Sequence, residues 1–393
     1  MANRKITILS EDFPPYPGGI AQWAAGIGKG LVSAGNEVTV LFRPRPELAE
    51  FDQEKWPFRT LPIEGKNWKR FRTWISKRAV KNLLATETKP DLIIATTWNM
   101  ARGIVSLCKD NNIPLILVVH GLEVTRPMPF LKKLWLKHTL NKVTQIVAVS
   151  QFTKDQIDDK YRLPEGKVVV LPNGVDVADF FPVSDVTVLQ NRHHTEGKKV
   201  ILTFARVIER KGHDVVIKSL PKVKTVFPDL VYLVCGKGDA EYISKLKTLA
   251  KELGVEDDVV FTGFVDPKEK NLYYNLCDVY IMPSREINGD TEGFGITYLE
   301  ANACEKPVIG GNSGGVADAI IQGETGFLVD PLDVKEIEGR LLELLGKPEL
   351  AMKIGKQGRE RILKSLTWEA VAKRLTGNLL FFQTQEKTLN KIQ

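Results

Sequence analysis

Residues 91–119 read DLIIATTWNMARGIVSLCKDNNIPLILVV. Two short apolar runs, DLIIAT (91–96) and PLILVV (114–119), flank a segment able to form a helix over about 100–111. Runs that are apolar on both faces are what a parallel sheet covered by helices requires. Strand, helix and parallel strand make one βαβ unit, and the same rhythm fills the chain. KITIL (5–9), EVTVLF (37–42), QIVAV (145–149) and KVVVL (167–171) are further strands. Helices are expected near 20–34, 68–86, 129–141 and 152–159. The rhythm breaks at PVSDVTVLQNRHHTEGK (182–198), a polar stretch without periodicity that reads as an interdomain linker. A second series follows: VILTFA (200–205), VYLVCG (231–236), VVFTG (259–263), VYIMP (279–283), PVIG (307–310) and GFLVD (326–330). Residues 333–382 read as helices, and the last carries a stripe of Trp368, Leu375, Leu379 and Phe382. The expected fold class is α/β, with two Rossmann-like doubly wound domains facing each other across a cleft. Ligands of such folds bind beyond the C-termini of the strands.

The length, 393 residues, exceeds what one core fills, which agrees with two domains. The hydrophobic fraction of 43% and charged fraction of 26% exclude global disorder. Cys108, Cys235, Cys277 and Cys304 form no CxxC pair and read as reduced, buried thiols of a cytoplasmic protein. The N-terminus turns charged too soon for a signal peptide, and no run of about 18 apolar residues is present to span a bilayer. GxGxxG and GxxxxGK[ST] are both absent, which argues against a dinucleotide cofactor and a P-loop NTPase.

Four groups of residues point to chemistry. Glu292-Gly293-Phe294-Gly295-Ile296-Thr297 follows a strand and precedes a helical run that carries Glu300. Glycines let the backbone approach a ligand, and the free N–H groups of a helix start bind a diphosphate. Glu292 lies where it can reach a sugar, and Glu300 where it can accept from ribose hydroxyls; the bland alternative is a helix cap and a surface acid. Arg206 and Lys211 follow VILTFA, where two cations can hold a diphosphate leaving group or merely form a solvated basic turn with Arg210. His120-Gly121 ends PLILVV, where a polar side chain faces ligand or is structural. Gly18-Gly19 precedes a helix, as a phosphate approach or a tight turn. His193-His194 lack the carboxylates that a metal site needs.

The pattern E-G-F-G with a second Glu at position 300 resembles the retaining GT-B glycosyltransferases of family 4. Pro172-Asn173-Gly174-Val175-Asp176, Arg206 with Glu209-Arg210-Lys211-Gly212-His213-Asp214, Gly18-Gly19 and His120-Gly121 match in order. The resemblance covers nearly the whole chain. It implies a GT-B fold, with 1–182 as acceptor domain, the 370–393 helix packing back onto it, and 183–369 as donor domain. It implies hexosyl transfer with retention from a nucleoside-diphosphate sugar, without metal or other cofactor. His120 and Glu292 become the catalytic pair. Gly19, Arg206, Lys211, Val265, Phe294, Gly295, Ile296, Thr297 and Glu300 hold the donor, Val265 through its backbone near the base. The long loop SREINGDTEGFG resembles the subgroup of phosphatidylinositol-mannoside mannosyltransferases, which favours GDP-mannose and a lipid-linked or glycan acceptor. PYPGGI lacks the Lys of the KxGGL loop, which argues against a glycogen-synthase-like role.

The net charge is +7. Residues 55–82 hold nine Lys/Arg against Glu64, and three of the seven tryptophans. Trp68, Phe71 and Ile75 share a helical face with basic flanks, and LKKLWLK (131–137) repeats the theme. This reads as an interfacial surface for anionic lipid, placing the protein at the inner face of the plasma membrane, or as ordinary packing on the sheet with lysines in water. No nucleic-acid-binding fold is recognisable, so no nucleic-acid partner is expected. Two rival classes are a GT-B sugar-nucleotide epimerase, which needs no acceptor, and a silent lipid- or glycan-binding protein, which would be free to lose Glu292, Arg206 and Lys211.

Overall fold

The structure, a computed structural model, describes residues 3–45, 54–86 and 89–377. The chain divides into two compact units, Met1–Gly174 with Leu366–Gln393, and Val175–Ser365.

The first unit holds seven strands: β1 (Lys5–Ser10), β2 (Glu37–Phe42), β3 (Arg59–Pro62), β4 (Leu92–Ala95), β5 (Leu115–Val119), β6 (Gln145–Ala148) and β7 (Val168–Val170). They form one parallel sheet in the order β3-β2-β1-β4-β5-β6-β7. Leu92–Ala95 and Leu115–Val119 are buried throughout, as their two-sided apolar pattern predicts. The helix between them, Trp98–Asp110, buries Trp98, Met100, Ala101, Ile104 and Cys108 on one face. β3 was not among the expected strands. Its sequence RTLP is short and polar, and only pairing with β2 makes it a strand.

The second unit holds β8 (Val200–Phe204), β9 (Val231–Cys235), β10 (Val259–Gly263), β11 (Val279–Met282), β12 (Val308–Gly311) and β13 (Gly326–Val329). Their order is β10-β9-β8-β11-β12-β13, again all parallel. Each sheet reverses direction of strand addition once: between β1 and β4, and between β8 and β11. Connections leave a crevice at such a switch point, at the C-terminal edge of the strands.

Two boundaries differ from the sequence reading. The first unit ends at Gly174, not at 182. Asn271 and Asn275 bind the backbone that follows: Phe181 N donates to Asn271 Oδ1 (3.1 Å), and Val183 N to Asn275 Oδ1 (2.9 Å). These bonds tie 175–182 to the second unit. The stretch 182–198 is not a bare linker either. Thr187–His193 forms a helix anchored by the fully buried Leu189. Arg192 pairs with Glu269 (2.8 Å), and His193 Nε2 lies 2.9 Å from the Tyr273 hydroxyl.

The chain returns to the first unit at Leu366, slightly earlier than expected. In helical residues 368–377, Trp368, Val371, Ala372 and Leu375 are buried. Gly26 makes room for the Trp368 ring, because a Cβ there would fall 2.0 Å from the indole. Leu379 and Phe382 of the expected stripe lie outside the described residues.

Candidate active site

Of the residues expected to hold a donor, Arg206, Lys211 and those from Glu292 to Thr297 follow β8 and β11, at the switch point of the second unit. After β8 the chain passes exposed Arg206, makes a 3-10 turn at Glu209–Lys211, and turns left-handed at Gly212 (φ 75°). After β11 a loop runs from Ser284 to Glu292. Asn288 and Gly289 both take positive φ, and Ile287 and Asp290 exchange backbone hydrogen bonds of 3.0 and 2.9 Å, so the loop closes as a short Asn-Gly hairpin. Arg285 N donates to Arg210 O at 2.9 Å, and the Arg285 guanidinium grips Asp214 at 3.0 and 3.2 Å. These contacts dock the loop on the turn.

The docked loop carries Glu292 to two cations. Lys211 Nζ donates to Glu292 Oε2, and Arg210 Nη1 reaches the same oxygen at 3.0 Å. Arg210 Nε pairs with Asp290 at 3.1 Å. Burial by itself raises the Glu292 carboxyl, but the charges of Lys211 and Arg210 outweigh it and hold it down to about 2. Burial lowers the Lys211 ammonium, and Glu292 opposes that shift. Glu292 therefore stays ionised near neutrality and is not a proton carrier at that pH.

Sequence reasoning named Arg206 and Lys211 and set Arg210 aside as part of a basic turn. In the structure Arg210 is the buried arginine, 7% exposed, and Arg206 is the exposed one. Three basic residues within positions 206–211 carry no local signal for which of them points inward. Asp290, a partner 80 residues away in sequence, decides it.

Gly295 takes φ 94°, and a Cβ there would lie 2.5 Å from the Tyr298 ring. The helix Ile296–Ala303 starts from it with no side-chain cap and no acid in its first turn. Its first N–H groups, at Ile296 and Thr297, thus have the character of an anion site. Phe294, expected to contact the donor, is 2% exposed. Val265 is also buried, beside Gly263 at φ 69°. Glu300, expected to be reachable by ribose, is 1% exposed. Lys270 Nζ stands 2.8 Å from each of its oxygens, and the Tyr274 hydroxyl donates to Oε2 at 2.6 Å. Neither partner was read from the sequence.

The first unit has its own set at the β1–β4 switch. Gly18 (φ 143°) caps the helix Gly19–Ser33, which has no side-chain cap, and a Cβ on Gly19 would meet no atom within 4 Å. His120 follows β5. Burial lowers its imidazole to about 4, against a hydrogen bond that the ring donates to the Thr96 backbone. Nε2 has no protein partner, so the Thr96 bond belongs to Nδ1–H. A neutral ring with the Nε2 lone pair free is an acceptor for a hydroxyl. The Trp23 ring meets the imidazole edge-on, centroids 6.0 Å apart. Glu123 was missed. Its Oε2 accepts from His120 N at 3.2 Å, and burial pushes its carboxyl up against backbone N–H groups that lower it. Among the described residues, no group of three or more His, Cys, Asp or Glu could hold a metal ion, and no helix is long and apolar enough to cross a membrane.

Two family models divide the chain much as the two units do. Glycosyltransferase Family 4 matches residues 17–179, and Glycosyl transferases group 1 matches 187–361. The chain belongs to the family 4 glycosyltransferases and has their two-domain α/β GT-B fold. It is 28% identical to the GDP-mannose-dependent alpha-(1-6)-phosphatidylinositol monomannoside mannosyltransferase of Mycolicibacterium smegmatis, over 94% of this chain and 97% of that protein. A glycogen synthase of Mycobacterium tuberculosis is 24% identical, over 94% and 92%. Among solved structures, a sucrose-phosphate synthase from Thermosynechococcus elongatus superposes with a TM-score of 0.79 at 23% identity, covering 98% of this chain and all of that one. Anabaena HepE, solved with UDP and glucose, gives 0.76 at 19% identity, covering 96% and 99%.

Proposed function

We propose that the protein is a retaining mannosyltransferase that moves mannose from GDP-mannose to a hydroxyl of a lipid-linked or glycan acceptor at an anionic membrane surface. The observation that carries the donor half is the Glu292 carboxylate held between Lys211 and Arg210, beside the uncapped helix start at Ile296. A diphosphate at that start gains the helix dipole, Lys211 and Arg206 as charge partners, so its neutralisation needs no metal. Ionised Glu292 orients sugar hydroxyls and stabilises positive charge on the reacting sugar, and His120 Nε2 accepts from a hydroxyl of the transferred sugar. The mannosyl choice is supported by the relative's name and by the hairpin loop. Retention, with the leaving phosphate as base, follows the family resemblance.

GDP-, UDP- and ADP-sugars assayed in parallel test this reading. Turnover is expected with GDP-mannose, unchanged by excess EDTA. Binding of none of the three would sink the donor reading, and loss of turnover with EDTA would sink the metal-free mechanism.

The membrane half is supported by side chains that the first unit leaves outside its core. Trp68 and Ile75 of helix Trp68–Thr86 are buried, but Phe71 is 44% and Trp74 58% exposed. The sequence puts Phe71 on one face with Trp68 and Ile75, turned either to lipid or to the sheet; the structure splits that face, packing Trp68 and Ile75 and leaving Phe71 outside. Phe130, Leu131, Leu134 and Trp135 of helix Phe130–Lys142 are also exposed, and helix Trp98–Asp110 lies against both helices. Arginines sit on the exposed rings: Arg78 on Trp74 (4.9 Å) and Arg102 on Trp135 (3.9 Å). Aromatic rings flanked by cations suit the headgroup region of anionic lipid. The reading places the protein in the cytoplasm, at the inner face of the plasma membrane. Flotation on phosphatidylglycerol vesicles at low salt is expected to carry the protein up, and Trp74→Ala with Trp135→Ala to cut the bound fraction about tenfold. Equal flotation of the double variant, or none of either, would overturn it.

A further inference from the structure

The helix Lys270–Leu276 opens with a lysine aimed at Glu300. Lys270 Nζ meets both carboxylate oxygens at 2.8 Å, and its side chain is 13% exposed. The ammonium lies 5.1 Å from the ring centroids of both Phe180 and Phe204. Tyr274, whose hydroxyl holds Oε2, stacks on Phe204 and meets Phe180 edge-on. Three rings thus wall in the ion pair. A carboxylate held by an ammonium on both oxygens and by a hydroxyl on one cannot turn its plane freely. Without the lysine, a carboxylate that is 1% exposed would lose the ammonium that meets both its oxygens. Glu300 also sits on the same helix as Ile296 and Thr297, about 6 Å further along the axis. Its orientation therefore sets where a ribose lies relative to a diphosphate at the helix start.

We propose that Lys270 is a positioning residue for nucleotide recognition, which locks the Glu300 carboxylate in the one orientation that accepts the ribose hydroxyls, with Tyr274 bracing its second oxygen. This rests on the reading of Glu300 as the ribose acceptor. Lys270 acts through Glu300, so its removal affects the hydroxyl-dependent part of binding more than the phosphate-dependent part.

The test is a ratio of dissociation constants, measured by calorimetry with the full chain. Whichever of GDP and UDP binds more tightly is compared with its 2′,3′-dideoxy form. In the unmodified protein the ribose form is expected to bind at least about tenfold more tightly, about 1.4 kcal/mol. Glu300→Gln is expected to bring the ratio near one. Lys270→Met keeps the length of the stem and is expected to bring it within about threefold of one, whereas Lys270→Arg, which can fork onto both oxygens, retains it. If Lys270→Met does not fold, Lys270→Gln is measured in its place, since its amide keeps one hydrogen bond without the charge. A merely structural lysine would lower the melting temperature and leave the ratio alone. A folded Lys270→Met or Lys270→Gln with the unmodified ratio, while Glu300→Gln has lost it, overturns the role of Lys270 and leaves that of Glu300 standing. An unchanged ratio in Glu300→Gln overturns the ribose reading itself.

Discussion

Glu292→Gln is expected to lower kcat by about 10²–10³-fold, the range found when one preorganised electrostatic group is removed from an active site. The substitution keeps the volume and one hydrogen-bonding oxygen but removes the charge. Lys211 and Arg210 then lose their shared counter-ion inside a buried site, and the negative charge proposed to stabilise the reacting sugar is gone. Donor affinity is expected to change much less, because the diphosphate supplies a counter-charge to the cations once it binds. Rates and donor dissociation constants measured together check this; a kcat within threefold of the unmodified protein would remove Glu292 from the mechanism. The pH behaviour follows from the same contacts. Glu292 is held at about 2, below its ordinary 4.5, and His120 at about 4, below 6.5. Neither titrates between pH 5 and 8 in the folded protein, so neither gives the rate profile a limb there. Both folded values are depressed, so the unfolded chain binds more protons on the acid side. The His120 contribution to stability is lost as pH falls from 6.5 to about 4, and that of Glu292 as it falls from 4.5 to about 2.

Trp368→Ala is expected to destabilise the first unit by about 3–5 kcal/mol, as for other buried tryptophans. Trp368 fills a slot that three glycines leave open. A Cβ would fall 2.0 Å from its ring at Gly26, 2.2 Å from its carbonyl oxygen at Gly30 and 2.8 Å from its ring at Gly174. Removing the indole empties that slot, and the surrounding helix and chain cannot collapse far enough to refill it. All seven tryptophans of the chain belong to the first unit, so tryptophan fluorescence during urea unfolding follows this unit alone. A loss below about 1 kcal/mol would show that the returning helix contributes little to the unit. Gly26→Leu is expected to act in the same direction by driving the ring out.

Much of the architecture was legible in the chain because parallel strands buried on both faces are written as contiguous apolar runs. DLIIAT and PLILVV announce themselves, and the helix expected at 68–86 is found at Trp68–Thr86. RTLP does not, because a strand of four residues with one exposed face has no pattern of its own. The helix Thr187–His193 escaped for a related reason, since a single buried leucine sets no period. In the second unit, E-G-F-G and the second acid marked the helix start, whose properties depend on neighbours in sequence: the glycine at its cap and the missing acid in its first turn. Where a charged side chain points depends instead on partners far along the chain. Arg210 turns inward because Asp290 and Glu292 arrive on the loop after β11. Glu300 is enclosed because Lys270 and Tyr274 come from a helix that precedes it by a strand and a loop. Local patterns settle which elements form, since they are selected by burial of one face. Ion pairs inside the site form only once the sheet has brought distant loops to a common edge, and their members cannot be told beforehand from the solvated charges beside them.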